Sequence, residues 1–105
     1  MKYITRSEEI ILLSIWKLKE NAYGIEILNT VSQSTGKKWS IGAIYAPLTR
    51  LLEKGYVKTF SGDPTPERGG RSKIYYELTD KGIKALEEVK KVHESIWVDV
   101  PALSK

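Results

Sequence analysis

Cysteine is absent from this chain of 105 residues, and histidine occurs only once. The missing cysteine excludes a disulfide framework, a thiol nucleophile and a thiolate zinc site. The single histidine, His93, has no second histidine or cysteine with which to bind a metal ion, and no paired acids are evident in a predicted cleft. We therefore expect a protein that is not an enzyme and that uses no cofactor or metal ion.

Long apolar runs are also missing. The longest, Ile10 to Leu13, is far shorter than the ~20 residues that a membrane span needs. The first residues, Met1 to Arg6, lack the apolar run of a signal peptide. The length allows one domain and is too short for two. We therefore expect a cytoplasmic protein without a membrane partner.

Basic side chains are concentrated in the middle of the chain. The formal net charge is +4, but residues 37 to 73 alone hold eight basic and three acidic side chains, which leaves −1 for the remainder. A basic stretch of this kind indicates an anionic partner such as the phosphates of DNA. A solvated basic face without any partner explains the charge alone equally well.

The hydrophobic pattern predicts three helices, a hairpin and a fourth helix. The predicted helices are Glu9 to Lys19, Ile25 to Ser34, Ile41 to Lys54 and a last one after Thr79, and the predicted strands are Tyr56 to Phe60 and Lys73 to Leu78. This order predicts a mainly α fold with a small β-hairpin, namely a winged helix-turn-helix with three helices, a two-stranded wing and a C-terminal dimerisation helix. Within one continuous domain, residues 1–78 form the predicted DNA-binding part and residues 79–105 the dimerisation helix.

Several single residues carry local predictions. The first helix is expected to begin with a capping box between Thr5 and Glu8. Pro47 lies inside the third helix, where it should either bend the helix or mark a later start. We expect Trp16 in the core and Trp39 as a hydrophobic staple before the third helix.

The last helix carries a heptad seam. Leu86, Val89, Ile96 and Val100 recur at spacings that keep one face apolar, with His93 between them, and Pro101 should end the helix. One small domain cannot cover so long a seam, so we expect helix one of one subunit to pack against helix four of another. The alternative is that the fourth helix packs on helix one of its own chain.

Two blocks of sequence resemble the PadR family of transcription regulators. Residues 42–57 (GAIYAPLTRLLEKGYV) are similar to the family's recognition helix and the entry to its wing. Residues 69–82 (GGRSKIYYELTDKG) are similar to the return strand of the wing and the cap of the last helix, and Tyr23-Gly24 also fits. The single short C-terminal helix is similar to the compact branch of the family. The resemblance implies a homodimeric repressor, released by a small molecule, that binds a roughly palindromic site on double-stranded DNA with half-sites about one helical turn apart.

The recognition helix, the connector before it and the wing supply the predicted DNA-binding residues. Small residues at the start of a helix let the backbone approach phosphates, while Tyr45, Thr49 and Arg50 have side chains that can reach bases or backbone. The basic wing suits phosphate contacts. The predicted DNA-binding set is Lys37, Lys38, Ser40, Gly42, Ala43, Tyr45, Thr49, Arg50, Arg68, Arg71 and Lys73.

The predicted dimer interface comes from helices one and four. It comprises Ile11, Ile15, Leu86, Val89, His93, Ile96, Trp97 and Val100. By the same resemblance, Trp97 and Ile15 are the candidates for contact with a small hydrophobic or aromatic effector, although ordinary interface packing also explains Trp97. His93 is interpreted as a hydrogen-bonded residue at the rim of the seam.

Two alternatives stay open at this point. A winged helix can serve as a protein–protein interaction module without specific DNA binding, in which case DNA binding would be weak and insensitive to salt. A DNA-binding protein without any effector is the second, because an effector cavity leaves no signal in the sequence.

Overall fold

The computed structural model describes residues 3–62 and 73–104, which form four α-helices and a two-stranded antiparallel sheet. The helices are α1 (Arg6–Leu18), α2 (Gly24–Thr35), α3 (Ile41–Glu53) and α4 (Asp80–Trp97), and the strands are β1 (Val57–Ser61) and β2 (Ile74–Leu78). A short 3-10 turn, Lys19–Asn21, separates α1 from α2. The predicted winged helix-turn-helix order is confirmed. The predicted wing contacts Arg68 and Arg71 lie outside the described residues.

The predicted capping box at the start of α1 is present. The Thr5 backbone N–H donates to Glu8 Oε1 at 2.8 Å, and the Glu8 N–H donates back to Thr5 Oγ1 at 3.1 Å. These two bonds satisfy backbone donors that the first helical turn would otherwise leave free. Ser40 and Thr79 cap α3 and α4 in the same way, with one side-chain oxygen each.

The segment before α2 pairs with the free side of β2 through one isolated β-bridge. Strands β1 and β2 pair from Val57↔Leu78 to Ser61↔Ile74. On the other side of β2, Tyr23 forms an isolated bridge with Tyr75, and the Tyr76 N–H donates to the Ala22 carbonyl at 2.7 Å. The base of the wing is therefore hydrogen-bonded to the loop from which α2 starts.

A single core lies between the first three helices and the base of the sheet. Its buried side chains are Ile11, Leu12, Ile15, Ala22, Ile27, Val31, Ile44, Leu48, Leu51, Val57 and Leu78. Trp39 packs against this cluster, and its indole N–H donates to Thr35 Oγ1 at 2.9 Å. These two contacts fix the path of the chain into α3. No helix among the described residues is long and apolar enough to cross a membrane.

One expectation about the first helix is wrong, and one alternative for the third is excluded. Trp16 is not a core residue, because 50% of its surface is exposed, on the flank of α1 that turns away from α2 and α3. Helix α3 does not start late: it runs from Ile41 through Pro47, whose ring is buried against the core, and a bend at Pro47 stays a prediction. Burial of the ring offsets part of the cost of the missing N–H.

The fourth helix is shorter than expected. It ends at Trp97 rather than continuing to Pro101, because Val98 is extended and Asp99 has a φ of 60°. Val100 is consequently not on the helical seam. The first part of α4 packs on α1 of the same chain, where Val89 is buried, which is the arrangement given above as the alternative.

Candidate nucleic-acid interface and the surfaces that position it

Helix α3 has one buried and one exposed face, as the sequence pattern predicts. Ile44, Pro47, Leu48 and Leu51 are buried. The residues on the opposite side are exposed: Gly42, Ala43, Tyr45, Ala46, Thr49, Arg50 and Glu53. The core therefore fixes α3 by one face and leaves the opposite face accessible to a large partner.

The start of α3 is open to close approach by an anion. Ser40 Oγ accepts the Ala43 N–H at 3.1 Å, and no atom lies within 4 Å of where a Cβ on Gly42 would stand. The partial positive charge of a helix N-terminus favours phosphate at such a place. Lys37 and Lys38, in the connector before the helix, are exposed as well.

The basic side chains of the middle segment differ in what they contact. Arg50 is exposed on α3. Lys54 instead pairs with Glu8 at 3.5 Å, and Lys58 pairs with Glu77 at 3.8 Å. The positive charge of the last two is therefore partly matched within the protein, whereas the sequence alone counts all of them equally.

Tyr45 and Thr49 both form contacts within the protein. The Thr49 hydroxyl donates to the Tyr45 carbonyl at 2.9 Å. The Tyr45 hydroxyl lies directly over Gly24, the first residue of α2, so that a Cβ on Gly24 would stand only 1.8 Å from it. The Tyr45 side chain is still 41% exposed, so one edge of the ring remains at the surface.

An aromatic row crosses the base of the wing. Phe60 stacks on Tyr75 with 5.5 Å between ring centroids, and Tyr23 meets Tyr75 edge-on at the same separation. Lys73 Nζ lies 4.1 Å from the centroid of the Tyr23 ring. Lys73 was expected from the sequence, whereas Tyr23 was noted only for its similarity to the family. Its place in this row follows from the bridge to Tyr75, which no local pattern reveals.

A buried carboxylate ties α1 to the end of α3. Glu8 is only 3% exposed and Lys54, at the C-terminal end of α3, reaches its Oε2. Burial alone would raise the pKa of Glu8, but the Thr5 backbone N–H, the Lys54 ammonium and the Thr5 hydroxyl together outweigh it and lower that pKa below 4.5. Glu8 is thus a charged anchor for the far end of the exposed helix, which sequence reasoning treated only as a cap.

A second exposed surface lies between α1 and α4. A groove of about 560 Å³ runs there, with an apolar floor that includes Leu13, Trp16, Ile83 and Leu86. His93 Nε2 and Glu9 Oε1 stand 3.3 Å apart at its rim. Beyond the groove, Ile96 and Trp97 are 65% and 58% exposed.

The structure brings together only some of the residues that we expected at a dimer interface. Leu86 and His93 line the α1–α4 groove, and Ile96 and Trp97 continue its direction along α4. Ile11 and Ile15, by contrast, belong to the core of their own chain and are 0% and 2% exposed, although Ile15 also lines a cavity of about 670 Å³ beside Trp16. Leu13 and Trp16 are the apolar residues of α1 that point outward, and the sequence pattern did not separate them from the core face.

No group of three or more histidine, cysteine or acidic side chains with metal-binding geometry is present in residues 3–62 and 73–104. Burial, and secondarily the nearby Tyr45, raises the pKa of Tyr76.

Comparison with known proteins agrees with this geometry. The model of the transcriptional regulator PadR-like family matches residues 12–88. A PadR-like transcriptional regulator from Bacillus cereus is 27% identical, with a TM-score of 0.72 over 87% of this chain and 84% of that one. A PadR-like transcription factor from Bacteroides fragilis is 26% identical, with a TM-score of 0.72 over 85% and 81%.

The fold extends to a more distant protein. RosR from H. salinarum is 23% identical and superposes with a TM-score of 0.74 over 93% of this chain and 81% of that one. No curated protein matches the chain in sequence. The family model covers α2, α3, the wing and the first half of α4, so the resemblance noted in the sequence is confirmed, and the chain belongs to the PadR-like family of transcriptional regulators.

Proposed function

We propose that this chain is a sequence-specific DNA-binding repressor that works as a homodimer and is released by a small hydrophobic or aromatic effector. The observation that carries the DNA-binding part is the exposed face of α3, with an open, small-residue N-terminus beside Lys37 and Lys38. An α-helix presented in this way fits the major groove of B-DNA. Arg50 faces bases or phosphates from the same side, and Lys73 and the wing contact flanking phosphates.

Binding is tested by fluorescence anisotropy against the DNA upstream of the chain's own gene, beside a scrambled duplex, at several salt concentrations. We expect tight binding to one site and a steep loss of affinity with salt. Each phosphate contact contributes about 0.9 to the slope of log K against log salt. Weak binding that is equal on both duplexes and insensitive to salt would instead favour the protein-interaction module.

Charge-neutral variants assign the contacts. Lys37→Gln and Lys38→Gln should each lower the salt slope by about one on both duplexes, because they remove phosphate contacts. Lys91→Gln is the matched control, since Lys91 is equally exposed but lies on α4. Arg50→Ala should weaken binding to the operator more than to the scrambled duplex. A salt slope that falls as much for Lys91→Gln would mean that the effect is one of net charge.

The dimer part of the proposal rests on the uncovered apolar side chains of α1 and α4. Leu13 and Trp16 on α1 and Ile96 and Trp97 on α4 are 41–65% exposed, and neighbouring exposed apolar side chains of this kind mark interaction surfaces. We expect Leu13→Glu to give monomers by size-exclusion chromatography with light scattering. Leu52→Glu is the control, because Leu52 is also 41% exposed but lies on α3. A Leu13→Glu protein that remains dimeric would contradict this interface.

Repression and release are tested together. In a reporter strain, the wild-type protein should lower transcription from its operator, and a planar hydrophobic compound that binds should restore it. The α1–α4 groove, closed by a second subunit and bordered by Trp97, is the proposed effector site. Binding there should change tryptophan fluorescence in the wild type and change it less in Trp97→Phe. An operator that is activated rather than repressed would contradict the sign.

A further inference from the structure

We infer that Tyr45 is a positioning residue, which holds the N-terminal half of α3 against the start of α2, rather than a residue whose hydroxyl contacts DNA. The inference rests on the proposed DNA-binding function and deepens it. In this inference, the contact between Tyr45 and Gly24 sets the orientation of α3. That orientation in turn determines which base edges the side chains of α3 can reach.

The closeness of the contact is the first argument. With a Cβ, residue 24 would meet the Tyr45 hydroxyl oxygen at 1.8 Å and its Cζ at 2.9 Å. Real Cβ atoms do not come within 3.0 Å of another heavy atom, so a residue other than glycine would displace the end of the Tyr45 ring from this position. Gly24 lies within α2 and needs no left-handed backbone. The reason for glycine at this position is therefore the approach of the ring.

The place of the contact in the fold is the second argument. Gly24 follows the loop whose Ala22 carbonyl accepts the Tyr76 N–H at 2.7 Å. Burial, and secondarily Tyr45, raises the pKa of Tyr76 on β2. The Tyr45 ring thus contacts the start of α2 two residues after Ala22, which is hydrogen-bonded to β2, and a rigid side chain with two rotatable bonds fixes distance and direction there.

The rest of α3 explains why this contact matters for orientation. The C-terminal end of the helix is held separately, by Lys54 to Glu8 and by the Lys81 ammonium, which donates to the Lys54 carbonyl at 2.7 Å. In the first half, the exposed residues are Ile41, Tyr45 and the small residues Gly42, Ala43 and Ala46. Among them, Tyr45 is the side chain that reaches α2, at Gly24. A hydroxyl turned onto Gly24 is not directed at a phosphate.

Four variants separate positioning from phosphate contact, measured on operator and scrambled DNA across a salt series. Tyr45→Phe keeps the ring and should bind the operator within about twofold of wild type, with the same salt slope. Tyr45→Leu and Gly24→Ala disturb the contact from its two sides and should each weaken operator binding by about tenfold, the cost of a misread base pair. Binding to scrambled DNA and the salt slope should stay unchanged, because no phosphate contact is lost.

The double variant Gly24→Ala/Tyr45→Leu provides the rescue. Leucine ends short of the ring's Cζ and hydroxyl, so the new methyl group fits, and operator affinity should recover relative to Gly24→Ala alone. Its melting temperature should recover as well, a readout that needs no DNA. If Gly24→Ala does not fold, the pair Tyr45→Phe and Tyr45→Leu decides the question by itself.

The inference is overturned if Tyr45→Phe loses affinity equally on the operator and on the scrambled duplex, which is the result for a hydroxyl that contacts a phosphate. The loss of such a neutral donor leaves the salt slope unchanged, because it releases no counterion. It is equally overturned if Gly24→Ala or Tyr45→Leu binds the operator like wild type. A wild-type protein that does not prefer the operator refutes the proposed function instead, and this outcome is visible before any substitution is compared.

Discussion

Replacing Glu8 by glutamine tests how the exposed helix is anchored. Glutamine has the volume of glutamate and can still accept the Thr5 N–H, which now lies 2.8 Å from Glu8 Oε1. It cannot pair with the Lys54 ammonium 3.5 Å from Oε2. The substitution therefore removes charge from a side chain that is 3% exposed, while leaving its shape in place.

The expected loss of stability follows from these two contacts. A hydrogen bond to a charged group contributes about 1 kcal/mol more than one between neutral groups. The ion pair adds about 0.5 kcal/mol at most, because Lys54 is half exposed and its charge is screened by water. We expect Glu8→Gln to lower the free energy of unfolding by about 1–2 kcal/mol, or the melting temperature by roughly 5–10 °C.

The pH dependence supplies the sharper test. The folded-state pKa of Glu8 lies below its ordinary value of 4.5, so its stabilising effect is complete above that pH and is lost as the pH falls through the folded-state pKa. The difference between wild type and Glu8→Gln should therefore be constant from pH 7 to about pH 5 and shrink at lower pH.

Urea unfolding at one fixed protein concentration measures this difference, since association would otherwise change apparent stability. Glu88→Gln, which neutralises an exposed glutamate on α4, is the control and should change little at any pH. Equal stability of wild type and Glu8→Gln at pH 7, or a difference that persists unchanged at pH 3, would refute the assigned role of Glu8.

Two backbone predictions have opposite signs. Lys19 ends α1 with φ 54° and ψ −125°, a conformation that costs a residue with a Cβ about 1–3 kcal/mol. Glycine adopts it without this cost, so Lys19→Gly should raise the melting temperature, although the contact of the Lys19 ammonium with the Trp16 ring is lost. A melting temperature at or below that of wild type would show that this contact outweighs the strain. Gly36 ends α2 with φ 69° and has open space around it. Gly36→Ala should therefore lower the free energy of unfolding by about 1 kcal/mol through the backbone alone. Gly36→Asn should lower it less, since asparagine tolerates this conformation. Thermal unfolding by circular dichroism measures both, and equal losses for the alanine and asparagine variants would contradict the backbone explanation.

What could be predicted from the sequence is what depends on neighbours along the chain. The capping box of Thr5 and Glu8 needs only residues three positions apart, and it is where the pattern placed it. The caps at Ser40 and Thr79 and the left-handed end at Gly36 are equally local features. The alternation of apolar and polar residues likewise separates the two faces of α3, because the core decides only which side is buried.

What escaped prediction depends on contacts between distant segments. Ile11, Ile15 and Trp16 all belong to an apolar helix, and only the packing of α2 and α3 determines that the isoleucines are enclosed and the tryptophan is exposed. The pairing of Glu8 with Lys54 and the seating of Tyr45 on Gly24 join residues that no periodicity relates. These contacts decide how the candidate site is held, whereas the pattern indicates only which residues it contains.

The attachment of Lys54 has a mechanical consequence. Its side chain is paired with α1 and its carbonyl is hydrogen-bonded from α4, so the end of α3 is attached to both helices. Helix α4 has 18 residues and is therefore about 27 Å long. In a dimer joined along α4, a rotation of α4 by about 10° about one of its ends would displace the opposite end by about 5 Å. Rotations of this size are within the range known for subunits. That displacement exceeds the spacing of ~3.4 Å between base pairs, so a slight change of fit at the far end of α4 moves the two α3 helices out of register with consecutive half-sites.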